Sequence, residues 1–280
     1  MNDLNIRAMR SEDIALAVDW AAAEGWNPGL ADAACFAMPD PHGFLLGELD
    51  GVPVATISCV NYDASFSFLG FYIVRQDLRG RGYGLSLWQA AMAHAGARAV
   101  GLDGVVAQQQ NYRKSGFQLA YANIRYGGAL PMPARVSPDL TALSEVPLAT
   151  LAADDTTVFP APRPTFLRAW IDAPGHVGRA LLRDGRVAAW GVIRPCRNGC
   201  KVGPLVADDR AGAEVVLAAL LAHAGGGEVF LDVPSLNTAA VAFAQDLGLA
   251  PVFETARMYR GAVPPLRLDR VYGVTSFELG

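Results

Sequence analysis

The chain has no uncharged apolar run of about 18 residues, the length a membrane-crossing helix requires. Its opening stretch, MNDLNIRAMRSEDIALAVDW, carries acids early and lacks the apolar core of a secretion signal. These absences lead us to expect a soluble, cytoplasmic protein. A basic excess is also missing: 23 Lys and Arg face 27 Asp and Glu, for a net charge of −4. A general nucleic-acid binder carries surplus cations, so neither nucleic acid nor membrane is an expected partner. Cysteine and histidine are scarce, with four of each. Cys35 and Cys59 stand alone. Cys196 and Cys200 form a lone C-x3-C with no second pair nearby, where a zinc site needs about four ligands. That pair reads as a hairpin turn with two free thiols. His42, His94, His176 and His223 show no metal-binding spacing, so no metal is expected.

Apolar residues make up 52% of the 280 positions and charged residues 18%, which suits a well-buried globular chain and excludes disorder. The length allows two domains. The pattern from the start reads as a short strand and a helix with Ser11 as its N-cap. A hairpin around Asp50-Gly51 follows. SFSFLGFYIV is then an almost continuously apolar strand, expected to be central. After it come a glycine-rich loop, a helix closing at Gly96, a strand through Leu102-Asp103, a short helical turn stopped by Gly116, and a final strand. The proline-containing stretch 131–147 reads as a linker.

The second half repeats this order. Asp184-Gly185 echoes Asp50-Gly51, Leu231-Asp232 echoes Leu102-Asp103, and Gly248-Leu249 echoes Gly116-Phe117. The chain therefore reads as two copies of one α/β unit, residues 1–130 and 148–280, each a mixed sheet flanked by helices. One difference separates them. The first copy has RQDLRGRGYG between strand and helix; the second has ADDRAGAE, with one glycine and two acids.

That loop, Arg79-Gly80-Arg81-Gly82-Tyr83-Gly84, allows three readings: a basic turn, a nucleic-acid contact or a phosphate cradle. Glycines let backbone N–H groups face a ligand closely, and a helix N-terminus attracts anions. The spacing matches neither the nucleotide-triphosphate loop nor the dinucleotide fingerprint. Arg79-x-x-Gly82-x-Gly84 after a strand ending at Val74 does resemble the R/Q-x-x-G-x-G/A motif of the GNAT N-acetyltransferases. Tyr112-Arg-Lys-Ser-Gly116-Phe117 resembles the Y-x-x-x-G-F segment of the same family. The resemblance covers residues 1 to about 130, and the second half resembles a degenerate copy.

The resemblance implies an α/β fold of two tandem GNAT-like domains and direct transfer of an acetyl group from acetyl-CoA to an amine. Residues 79–84 would hold the pyrophosphate, main-chain groups of Ile73 and Val74 the pantetheine arm, and an N–H near Tyr72 the thioester carbonyl. Tyr112 matches the tyrosine that protonates the departing sulfur; packing at the helix–strand junction is its other reading. Many relatives carry Glu in the central strand, and SFSFLGFYIV has no acid. Glu24 and Asp103 are the alternatives for a base, beside a water chain. The recurrence of Asp103 as Asp232, in the copy without the loop, also suits a structural role. Val105 stands where relatives place Asn, and Arg113 and Lys114 are either phosphate contacts or solvated charges.

GWNPG, residues 25–29, falls where the family covers the acceptor, so Trp26 and Asn27 are candidate acceptor contacts or packing anchors. The expected partner is a small-molecule amine, and the chain is expected to be a monomer or homodimer. A non-catalytic acyl-CoA sensor and a protein Lys or N-terminal acetyltransferase are the rival readings.

Overall fold

A computed structural model describes residues 4–280. The first half runs β1 (Asn5–Ala8), α1 (Ser11–Ala23), α2 (Asp32–Phe36), β2 (Phe44–Leu49), β3 (Val52–Asn61), β4 (Phe66–Val74), α3 (Tyr83–Ala95), β5 (Ala99–Val105), α4 (Gln109–Lys114) and β6 (Gln118–Leu130). The second runs β7 (Leu140–Ala142), α5 (Leu148–Asp155), α6 (Pro164–Asp172), β8 (Val177–Arg183), β9 (Arg186–Pro195), β10 (Cys200–Ala207), α7 (Arg210–Ala224), β11 (Gly227–Pro234), α8 (Thr238–Asp246) and β12 (Ala250–Arg260). A short β13 (Val271–Gly273) follows. The two Asp-Gly dipeptides close the β2–β3 and β8–β9 hairpins, with both residues of each at positive φ as a two-residue turn demands. Ser11 is the first helical residue rather than the cap of α1. Asp13 draws the boundary back by accepting the Arg10 N–H at 2.9 Å.

The strands form one continuous sheet in the order β1-β2-β3-β4-β5-β12-β6-β11-β10-β9-β8-β7. When each element is exchanged for its repeat, that order reads the same in both directions. The centre is an exchange: β12 of the second half pairs with β5 of the first, and β6 of the first pairs with β11 of the second. The stretch 131–147 contains β7, which pairs with β8 at the far edge as β1 pairs with β2 at the near one. No helix among the described residues is long and apolar enough to cross a membrane.

Two buried ion pairs lie across the exchange. Asp103 of β5 faces Arg257 of β12 and accepts from its Nε at 2.9 Å and Nη2 at 2.7 Å. Asp232 of β11 faces Arg125 of β6 and accepts at 2.6 and 2.8 Å. Burial pushes the Asp232 carboxyl up, but Arg125, with Lys201 and Arg194, holds it below the usual carboxylate range. Helices tie the halves on one face of the sheet. Phe36 of α2 stacks on Trp170 of α6, with ring centres 6.0 Å apart, inside a core drawn from both halves. Asp32, at the start of α2, accepts from Arg194 of β9 at 3.0 Å, so this acid joins the halves.

Arg257→Met leaves Asp103 buried with only Asn123 as side-chain donor. Breaking one side of a buried pair costs about 3–5 kcal/mol, so we expect a loss of that size in urea unfolding at pH 7. Adding Asp103→Leu to the variant should recover most of it. A single-variant loss under about 1 kcal/mol would mean that the exchange does not depend on the pair.

Candidate functional site

Pairing between parallel β4 and β5 stops at Leu69–Leu102. Beyond that point the strands part, and a cavity of about 450 Å³ opens between them. Its walls are β4 from Leu69 to Val74, the loop and first turn of α3, the end of β5, Tyr112 of α4, and Glu24 and Trp26 after α1. The second half adds Phe253, Thr255, Phe277 and Glu278.

The end of the cavity at α3 suits an anion. Gly82, at φ +89°, is the N-cap of α3 and offers no side chain to the free N–H groups of the first turn. The same turn of α7 is closed: Asp209 caps it, its carboxylate accepting the Gly212 N–H at 2.7 Å. Asp209 also pairs with Arg183 at 2.7 Å. The second copy has therefore filled the position that the first leaves open. Gly80, Tyr83 and Gly84 line the cavity with Gly82. Arg79 spans its rim, donating from Nε to the Val74 carbonyl at 2.9 Å and from Nη2 to Glu24 at 2.5 Å. Arg81 lies outside the lining, exposed, and donates to the Asp77 carbonyl at 3.2 Å.

β4 carries a bulge at the point of parting. Phe71 has φ +48°, and its carbonyl accepts from Thr56 Oγ1 at 2.8 Å. In a trans peptide C=O and N–H point opposite ways, so the Tyr72 N–H turns away from Thr56. Tyr72, Ile73 and Val74 then line the cavity. Tyr112 packs on Trp88, with ring centres 5.6 Å apart, and over Gly104, where a Cβ would come within 2.4 Å of its ring. Burial, with a smaller contribution from Tyr72, pushes the Tyr112 phenol well above its usual value. Both readings of Tyr112 thus meet in one residue, which packs at the junction and lines the cavity.

Glu24 and Asp103 line the cavity too, and both are already engaged. Glu24 holds Arg79. Asp103 accepts from Arg257 twice and from Asn123. This suits the structural reading that its recurrence as Asp232 suggested, and it leaves neither acid unpaired as a base. The Trp26 carbonyl accepts from Arg125 at 2.7 Å and Lys201 at 3.3 Å, which pins GWNPG over the cavity. Asn27 does not line the cavity. Its amide bonds both ways with the Asn198 backbone, each at 2.9 Å. It borders a neighbouring open groove of about 410 Å³, which shares Phe253 with the cavity. Arg113 and Lys114 are exposed. Phe253, Thr255, Phe277 and Glu278 were missed by sequence reasoning. For Glu278, the available signal was a lone acid within the apolar stretch 271–279. Among the described residues, no group of three or more His, Cys, Asp or Glu could hold a metal ion.

Residues 9–117 match the acetyltransferase (GNAT) family, and residues 152–273 match an acetyltransferase (GNAT) domain family. Holothin acyltransferase of Pseudoalteromonas sp. (strain SANK 73390) is 33% identical over 264 residues, spanning 94% of this chain and 90% of that protein. A Pyrococcus horikoshii protein described as a candidate acetyltransferase superposes with a TM-score of 0.85 at 22% identity, covering 100% of this chain and 97% of its own. A tandem GNAT protein from the clavulanic acid biosynthesis pathway superposes with a TM-score of 0.61 at 14% identity, covering 93% and 100%. These two likenesses show a shared fold.

The raised phenol can be checked by absorbance titration of wild type against Tyr112→Phe. We expect the two curves to coincide through pH ~10, the ordinary phenol value, because Tyr112 keeps its proton there. A phenolate signal assignable to Tyr112 near pH ~10 would contradict the desolvation described.

Proposed function

The chain belongs to the GNAT acetyltransferase family, and from that premise we propose that it transfers an acetyl group from acetyl-CoA to the amine of a small molecule. The observation that carries this reading is the single cavity that runs from the uncapped start of α3, past Tyr112, to an aromatic end at Trp26, Phe253 and Phe277. Acetyl-CoA suits the residues present. The free N–H groups of α3, with Gly80, Gly82 and Arg79, offer an anion site for the pyrophosphate. The parted strand at Ile73 and Val74 offers main-chain groups for the pantetheine arm.

In this reading the amine nitrogen attacks the thioester carbonyl, the C–N bond forms and the C–S bond breaks. The Tyr72 N–H stabilises the charge growing on the carbonyl oxygen. Tyr112, protonated because it is buried, donates to the departing sulfur. The pinned GWNPG segment narrows the acceptor end, which favours a small acceptor over a protein side chain. The name of the Pseudoalteromonas relative makes holothin the first acceptor to try.

Thiol release from acetyl-CoA should rise on adding holothin or another member of a small-amine panel. Gly82→Val forces a branched side chain into positive φ. It should raise the KM for acetyl-CoA by about tenfold or more, equivalent to ~1.4 kcal/mol of binding, and the strained backbone should lower stability by about 1–3 kcal/mol. An unchanged KM would remove the loop from the site.

A further inference from the structure

Residues after β12 break the symmetry of the molecule. β10 and β11 pair only over Cys200–Val202 and then part, as β4 and β5 do. In the first half that gap is the cavity. In the second half β13 occupies it, pairing with β10 at Val206 and Leu205, and Val274 donates to the Asp232 carbonyl at 2.8 Å. The chain then crosses to the first half. A Cβ on Gly203 would meet the Thr275 and Val274 carbonyls at 2.6 Å, and one on its counterpart Gly70 would meet the Glu278 carbonyl at 2.1 Å. Tyr62 Oη and Arg163 Nη1 donate to the Leu279 and Gly280 carbonyls at 2.8 and 3.0 Å. These contacts hold Phe277 and Glu278 in the cavity wall.

Glu278 is 2% exposed, and neither carboxylate oxygen has a hydrogen-bond partner among the described residues. The other buried carboxylates described, Asp13, Asp32, Asp155 and Asp232, each accept from an arginine. A buried carboxylate without donors is costly. The charge around it accounts for its presence but not for its missing donor. Arg125 of β6, Arg194 of β9 and Lys201 of β10 all sense Glu278, beside Asp32, Asp232 and Cys196. None of the three cations donates to Glu278. Of their side-chain nitrogens only Arg194 Nη2 is also buried without a partner, and Glu278 lines the cavity, where an entering cation can supply a donor.

We propose that Glu278, delivered by the second half, is the acceptor-side carboxylate of the first half's site. It binds the ammonium of a cationic small-molecule acceptor whose body lies against Trp26, Phe253 and Phe277. It then takes one proton from that ammonium, freeing the nitrogen lone pair for attack. The C–N bond forms, the C–S bond breaks, and the second proton passes from the nitrogen to the sulfur through Tyr112. The products are an amide, a thiol and one proton, which Glu278 releases to water. The proposal rests on reading the cavity as an acyl-CoA and amine site.

The test uses the full chain, acetyl-CoA, and phenethylamine, a primary ammonium with an aromatic body. Calorimetry gives CoA affinity, and thiol release gives kcat and KM between pH 6 and 10. We expect Glu278→Gln to leave the CoA Kd within twofold and to raise the amine KM at least tenfold. Its kcat should fall at least a hundredfold at pH 7 and recover as the pH rises and the amine loses its own proton. Glu278→Asp keeps the charge and should restore the pH profile with part of kcat, which separates the effect from a folding defect if the glutamine variant is unstable. Glu24 and Asp103 share the wall but hold Arg79 and Arg257, so the control is Glu145→Gln, an exposed acid outside the cavity, which should keep the wild-type profile. If wild type fails to bind CoA, the reading of the cavity fails, and the proposal with it. If wild type binds CoA but does not acetylate phenethylamine, the proposed acceptor class is overturned. If Glu278→Gln turns over like wild type and loses only thermal stability, Glu278 is a counter-ion of Lys201 and the proposal is overturned.

Discussion

The molecule depends on one antiparallel contact, β6 against β12, through which each half completes the other's sheet. Without the strand it receives, each half would leave an edge unpaired, at β5 in the first and at β11 in the second. The exchange also places Arg125 and Arg257 opposite acids of the other half, Asp232 and Asp103. A buried carboxylate and a buried guanidinium tolerate only the register that joins them. The pairs therefore select one alignment from the several that apolar strands alone would permit.

From this near-symmetric frame the molecule builds two unlike ends. Both copies have parallel strands that part and a helix that follows the first of them. In one, Gly82 leaves the helix uncapped and the gap open. In the other, Asp209 occupies the helix end and β13 fills the gap. The second copy fills with its own chain the gap that the first leaves open as a cavity. That chain goes on to supply Phe277 and Glu278 to the open site, so the degenerate half forms part of the first half's wall.

Much of the frame was legible in the residues. The Asp-Gly turns, the apolar run of β4, the glycine loop and the repeated Leu-Asp strand ends all follow from local chemistry and spacing. The loop glycines, Tyr112, Glu24, Asp103 and Trp26 do line one cavity. The strand exchange was not legible, because periodicity tells which face a residue takes and not which distant strand lies beside it. That is why Asp103 and Asp232 were recognisable as a recurring pair while their arginine partners were not. Asn27 and Arg81 were read by their place in a motif, but each is bonded to nearby backbone outside the cavity. Glu278 is far from every motif in sequence and enters the site only by way of the folded second half.

The central claim is that the chain has two copies of the fold and one working ligand site, because the second is filled from within. Calorimetric titration of the full chain with CoA tests this most directly. One CoA bound per chain is the predicted result. Two per chain would mean that the Asp209 cap and β13 do not close the second gap.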